Sequence, residues 1–458
     1  MPPTFRVPHT LVLLFAMMVL ALVATWVLPQ GSFQTQPDAR GNALVVPGTY
    51  TQAEERVQLG PVQLFTAVPR ALAKAADIIF FVLLVGGAIA VLRASGMIDA
   101  VLGEVLKRIG HSQGGLIVGG MILFAAVSGA IGVAEEYIPF AALLVSLCIA
   151  MRMDAITAMG IMVGGYGIGY GVAALNPFTL VVAQTVAGLE PVSGAGYRWA
   201  LFLPFVAIGV HHVWSYARRV QADPACSLVA DIEIPHRAPA EAPPLAGRLL
   251  LVFLLSVATL VLMSWGIYAR GWYLVELGAL FVGLGLAAGL MGGLGVDGTA
   301  KRFAEGAAEL AGTALLIGFA RAIALILEDG QVLHTIVNAL AAPLSAVGAE
   351  LAVVGMLLIQ TVLNLFIPSG SGQAFVTMPI MAPLSDLLGI SRQTAVLAFQ
   401  MGDGFSNMIV PTNIVLMSIL GIAGIPYDRW FRFIWPLLLK LTVAGALALV
   451  AAVMFGYS

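Results

Sequence analysis

Apolar runs of about 20 residues recur along the whole chain, and this limits the fold more than any motif does. Each run is long enough to cross a bilayer as an α-helix, the form that satisfies its own backbone polar groups away from water. Composition agrees: of 458 residues, 60% are hydrophobic and 10% charged, with a mean hydropathy of +0.97. Soluble domains do not carry that balance. A net charge of −2 gives no footprint for nucleic acid. Cys148 sits in an apolar run and Cys226 in a polar loop, with no metal-type spacing and no expected pairing. The fold class expected is an all-α polytopic membrane protein.

Two polar, glycine-rich clusters interrupt this pattern between Asn364 and Asn413: IPSGSGQ and GDGFSNMIVPTN. They fall where a membrane helix should be continuous. Broken helix at that depth is tolerated only when buried in protein or lining a watery cavity. The midplane sites of many secondary transporters are built this way.

In chain order, residues 1–74 read as a first helix and a polar loop, 75–216 as a first repeat, and 217–247 as a cytoplasmic linker. Residues 248–307 read as connecting helices, 308–430 as a second repeat and 431–458 as the last helix. Gln63–Lys74 and Met97–Ile109 have amphipathic patterns. The count is roughly ten full spans plus two short hairpins. Arg6, the linker arginines Arg218, Arg219 and Arg237, and the Arg429/Arg432 pair predict a cytoplasmic N-terminus and an external C-terminus.

The halves resemble each other. Pro139 and Pro379 are 240 apart (379 − 139), and the same offset links Ala142 with Ala382, Arg152 with Arg392, Ala155 with Ala395 and Gly164 with Gly404. In each half an apolar helix, a glycine hairpin, a basic turn and a glycine-broken helix follow in that order. Two repeats, expected to be inverted, each with a re-entrant hairpin and a broken helix, are a transporter signature.

Ser369, Gly370, Ser371, Gly372 and Gln373 are placed to form a hairpin tip whose oriented amides and hydroxyls suit a carboxylate. Asp403, Ser406, Asn407, Thr412 and Asn413 supply oxygens for a coupling ion; sodium takes about five or six such ligands. An intramembrane acid is a functional candidate by default, the alternative being a helix cap. In the first half, GGYGIGYGVAALNPF offers Asn176 and no acid. Glu135 and Glu136 form an acidic first hairpin, suited to a proton or to the ammonium group of a substrate. Arg321 lies in mid-span and either clamps a substrate carboxylate or pairs with an acid such as Glu135, Glu136 or Asp403. Asn364 either bonds across helices or reaches the site. Arg152 and Arg392 are expected to snorkel to a surface, and His334 to be solvated. No hydrolase, kinase or redox motif appears, so no enzyme and no cofactor beyond a possible sodium ion is expected.

NLFIPSGSGQAFVTMPIMAPLSDLLGISRQTAVLAFQMGDGFSNMIVPTN closely resembles the YfcC-like branch of the anaerobic four-carbon-dicarboxylate carrier (DcuC) family. GVAEEYIPF, GFARAIALILEDG and TWVLPQGSF resemble it too. The resemblance implies the ion-transporter superfamily architecture: a scaffold domain, a transport domain, homodimers, elevator-type alternating access and a bacterial inner membrane. It places the site at the Glu135 region and the Ser369–Gln373 tip, facing Asn176 and the Asp403–Asn413 break. An acidic first tip is awkward for a dianion. An amino acid, basic ones included, fits better than a four-carbon dicarboxylate.

Overall fold

The computed structural model describes residues 10–37, 43–109, 112–232 and 243–458. Arg6, Arg40 and the 233–242 part of the linker, with Arg237, lie outside them.

Helix α1 (Thr10–Val27) leads into the polar stretch, which forms four short strands: β1 (Gly31–Ser32), β2 (Thr35–Pro37), β3 (Ala43–Val45) and β4 (Thr51–Gln52). β1 pairs with β4 and β2 with β3, both antiparallel. The protein is therefore nearly all-helical rather than all-helical. This stretch has neither the length of apolar sequence nor the 3.6-residue period that a helix needs.

The rest is helix. α2 (Val62–Lys74), α3 (Ala76–Ala94), α4 (Met97–Ile109) and α5 (Gln113–Ile131) come first. A 3₁₀ turn at Glu135–Phe140 opens α6 (Ala141–Ala150), and α7 (Ala155–Gly171), α8 (Leu180–Val186) and α9 (Ala195–Ala222) follow. Beyond the linker come α10 (Arg248–Arg270), α11 (Leu274–Met291), α12 (Gly295–Glu309), α13 (Ala311–Asp329) and α14 (Leu333–Ser345). The chain closes with α15 (Ala349–Leu363), α16 (Gly370–Leu387), α17 (Arg392–Ser406), α18 (Ile414–Ala423) and α19 (Tyr427–Met454).

Among the described residues seven helical stretches are long and apolar enough to cross a membrane, fewer than the ten expected. The shortfall has a physical cause. Expected spans such as 155–175 and 351–366 stop at Gly171 and Leu363, where polar breaks begin.

Two bodies of packed helices are evident. In one, α3 lies along α11 and α12, α13 lies along α1 and α2, and α10 packs on α11. In the other, α7 is enclosed by α5, α6, α9 and α17, and α17 by α15, α16 and α19. The bodies meet where α13 and α14 face α16, with α4 bridging from α3 and α10 to α5. The α13–α16 seam is apolar: Ile323, Ala324 and Leu327 face Val376, Pro379 and Ile380 across a cavity of about 250 Å³.

Candidate substrate and ion site

The site is positioned by side-chain caps. Short polar side chains at helix starts satisfy amides that have no partner within the helix. Asp154 Oδ1 accepts from Thr157 N–H (2.8 Å) at the start of α7, and Ser391 Oγ accepts from Thr394 N–H (3.1 Å) at the start of α17. These caps are 237 apart (391 − 154) and open the two helices that later break. Ser369 Oγ accepts from Gly372 N–H (3.3 Å) at the start of α16, and Asn413 Oδ1 from Leu416 N–H (3.1 Å) at the start of α18.

The broken helices α7 and α17 cross at glycine. A Cβ on Gly404 would lie 2.2 Å from Gly171 N and 2.6 Å from its Cα; one on Gly167 would meet Met408 Cγ at 2.2 Å. Backbone thus touches backbone where both helices end, which only residues without a Cβ permit. The short helix after each break packs on an element of the other half: α8 against α16, and α18 against α6 and the 3₁₀ turn.

Asp403 is buried at this crossing, 1% exposed. Its Oδ2 lies 3.1 Å from where a Gly370 Cβ would sit, so the carboxylate meets the first turn of α16. That end of a helix carries partial positive charge from unpaired amides. Asn407 Nδ2 donates to Asp403 Oδ1 at 3.4 Å. Asn364 ties the break together: its Nδ2 reaches Asp403 O (3.1 Å), Ser406 Oγ (2.7 Å) and Asn407 Oδ1 (2.9 Å). Asn413 Nδ2 also donates to Asn407 Oδ1 (3.2 Å). Ser371 is buried beside Gly370 in the first turn of α16. Asn364, Ser369–Gly372, Asp403, Ser406, Asn407 and Asn413 are thus brought together.

Other expected residues fall elsewhere or into other roles. Gln373 is buried but turned toward α15, with Nε2 donating to Gln360 O (2.9 Å) and Oε1 (2.7 Å). Thr412 donates to Leu365 O at 3.3 Å, on the outer side of the break. Asn176 is fully buried; its Nδ2 donates to Ser128 O (3.1 Å) while its Oδ1 accepts from Phe178 and Thr179 N–H (2.9 and 3.1 Å). Arg321 pairs with Glu328, seven residues on, at 3.0 Å. Arg392 does not snorkel, because Asp386 holds it (2.6 Å) together with Ala187 O (2.9 Å). His334 is half-buried, accepting at Nδ1 from Phe33 N–H (3.1 Å). Glu135 and Glu136 open the 3₁₀ turn; their side chains lie outside what the structure describes.

Three residues escape sequence reasoning. Thr179 flanks Gly370, with its Cγ2 2.5 Å from the same Cβ position that approaches Asp403; its Oγ1 is buried and has no hydrogen-bond partner among the described residues. The Oδ1 of Asn364 is likewise buried and unpartnered. The signal for Thr179 is its place in NPFT, directly after the first break. Gln360 packs its Cβ on Gly402 and pairs with Gln373. Arg198 is fully buried and donates to Gln400 Oε1 (2.9 Å), Gln393 Oε1 (3.2 Å), Ser193 O (3.1 Å) and Tyr457 Oη. At the edge of its apolar run it reads as a flanking charge.

Thr179 from the first half of the chain and Asp403 from the second thus meet at the first turn of α16.

A nearly all-helical body with seven candidate spans, and a buried polar break where two interrupted helices cross, defines a multi-pass membrane transporter. The C4-dicarboxylate anaerobic carrier (DcuC) family model matches residues 7–454, and the chain belongs to that family. It is 33% identical to the Escherichia coli "Putative basic amino acid antiporter YfcC" over 99% of this chain and 98% of that one. An uncharacterized Haemophilus influenzae protein is 28% identical over 98% of this chain and 97% of its own. Two solved structures share the fold at 18% identity. The Alcanivorax borkumensis YdaH transporter has a TM-score of 0.73, covering 98% of this chain and 99% of its own. Neisseria gonorrhoeae MtrF, of a class of antimetabolite efflux pumps, has a TM-score of 0.70, covering 97% and 95%.

Proposed function

We propose that the protein is a secondary active transporter of a small carboxylate-bearing metabolite, an amino acid before a four-carbon dicarboxylate, coupled through Asp403 to sodium or protons or working by exchange. One observation carries this reading: a buried carboxylate faces the first turn of α16 at the glycine crossing of α7 and α17. A cation bound at Asp403, with Thr179 and Asn364 oxygens nearby, offsets its charge and leaves the amides of the α16 tip for a substrate carboxylate. The name of the E. coli relative supports an amino acid, and a basic one, as the first substrate to test.

The recurring order of capped helix, glycine crossing and short second helix supports two structural repeats with re-entrant hairpins. The two packed bodies and their apolar α13–α16 seam support a fixed scaffold and a transport domain that slides against it. Homodimers, the bacterial inner membrane and a cytoplasmic N-terminus belong to the same reading.

Uptake into proteoliposomes tests it, with labelled arginine, aspartate and succinate in parallel, with and without a sodium gradient and with arginine preloaded. Flux lost in Asp403→Asn supports coupling at that carboxylate. Succinate winning over both amino acids favours the dicarboxylate reading. Folded protein with full partner function and no flux, unaffected by Ser371→Ala or Asp403→Ala, would mark a sensor or scaffold on a transporter fold.

A further inference from the structure

The outer seam between α9 and α19 holds charge where lipid should lie. From Ile434 to Met454 the only charged residue is Lys440, and it is exposed. It sits eight residues past Arg432 (440 − 432), about 12 Å deeper along the helix. The residues around it face outward as a lipid-contacting surface does: Trp435 is 50% exposed, Leu439 55% and Leu203 65%. Phe431 and Trp435 stack at 5.8 Å next to Arg432, as interfacial aromatics do.

Lys440 is held in place rather than splayed. His212 on α9 engages Phe433 O through Nε2 (2.9 Å), leaving Nδ1 to accept from Lys440 Nζ at 3.5 Å. The helices run antiparallel here, since Tyr197 reaches Ala448 and His212 reaches Phe433. That pairing sets the exposed His211 level with Ile434, between Arg432 and Lys440, and the exposed Arg218 level with Tyr427, outward of Arg432. No carboxylate lies within ion-pair distance of Lys440, Arg432 or Arg218 among the described residues. Unpaired cations on a lipid-facing surface are costly unless an anion meets them. In that surface the available anion is a lipid phosphate, and basic inter-helix seams bind such headgroups.

We infer that the α9–α19 seam binds the phosphate of an anionic phospholipid, with Lys440 as its deepest cation and Arg432 and Arg218 at its rim. The site lies on the outer side of helices that pack on α17, so it is separate from the substrate site. Lipid occupancy there braces α9 against α19.

The test uses the purified full chain in detergent, titrated with short-chain phosphatidylglycerol, phosphatidylcholine or inorganic phosphate. Lipid adducts are read by native mass spectrometry and unfolding by intrinsic fluorescence. Phosphatidylglycerol is expected to be retained and to raise the unfolding midpoint, with phosphatidylcholine and phosphate doing neither. Lys440→Gln is expected to weaken phosphatidylglycerol about fivefold, the worth of one cation at a membrane surface, while Lys440→Arg keeps it. If Lys440→Gln does not fold, the Arg218→Gln, Arg432→Gln double variant supplies the same comparison. Equal retention of both lipids, or a preference unchanged by these variants, overturns the proposal. Phosphate matching phosphatidylglycerol overturns the lipid assignment. A loss of oligomer mass in Lys440→Gln without lipid preference assigns the face to contact between copies instead.

Discussion

Gly404→Ala places a methyl group at the tightest crossing in the site. Its Cβ would stand 2.2 Å from the backbone nitrogen of Gly171, whereas ordinary contact begins near 3.4 Å. The helices must therefore part by about 1.2 Å (3.4 − 2.2), because a backbone atom cannot rotate away as a side chain can. A gap of that size forfeits about half or more of each dispersion contact around it, including Gly167 on Met408 and Gly171 on Phe405. Overpacking of this kind costs about 3 kcal/mol. At about 2 °C per kcal/mol, the unfolding midpoint should fall by about 6 °C. The same shift displaces Asp403, the preceding residue, so uptake should fall more steeply than stability. The assay pairs thermal unfolding in detergent with proteoliposome uptake, using Gly421→Ala in α18 as control. A Cβ at Gly421 meets nothing within 4 Å, so that change should be neutral or mildly stabilising through helix propensity. If Gly404→Ala behaves like Gly421→Ala in both readouts, α7 and α17 do not touch as described and the site argued from their crossing is wrong.

Asn364→Ala removes the amide that spans Asp403 O, Ser406 and Asn407; Asn407 N–H still serves Asp403 O and Asn413 still serves Asn407 Oδ1, so the loss should cost about 1–2 kcal/mol and most of the flux, checked by unfolding and uptake. Arg392→Gln removes the guanidinium that pairs with Asp386, both side chains being 12% exposed, and should be clearly destabilising, where a snorkelling arginine would be silent. Arg321→Gln should change KM by less than about twofold because Glu328 occupies the guanidinium; a tenfold rise would instead put Arg321 on the substrate. Burial holds the His334 imidazole below its ordinary pKa, against a smaller opposing pull from Glu328. Its neutral Nδ1 must accept from Phe33 N–H, so docking of the strand lobe is intact above about pH 6.5 and weakens as pH falls below it. Limited proteolysis between pH 5 and 8 should show this, and His334→Gln should flatten the profile.

Much of the architecture was legible because it follows from local rules. The amphipathic pieces at 63–74 and 97–109 form α2 and α4 nearly to the residue, since the 3.6-residue period is a one-dimensional signal. The breaks after Gly171 and Ser406 were legible because polar, glycine-rich sequence cannot continue a lipid-exposed helix. Asp403 was legible because an acid inside an apolar chain is costly and calls for a reason. Gln373, Arg321 and Arg392 were harder. Each side chain is long enough to choose among several partners, and the choice went to Gln360 on the preceding helix and to Glu328 and Asp386, seven and six residues away along the chain.

By itself the sequence determined that this chain is a bundle of membrane helices with two polar interruptions, because hydrophobic length and helix-breaking chemistry act over neighbouring residues. Tertiary structure alone decided that the interruptions touch, that Thr179 from the first half stands beside Asp403 from the second, and that Arg198 is buried among neutral acceptors. Those outcomes depend on where a missing Cβ lets two helices approach, and residues more than 200 positions apart meet only when the whole bundle closes around them.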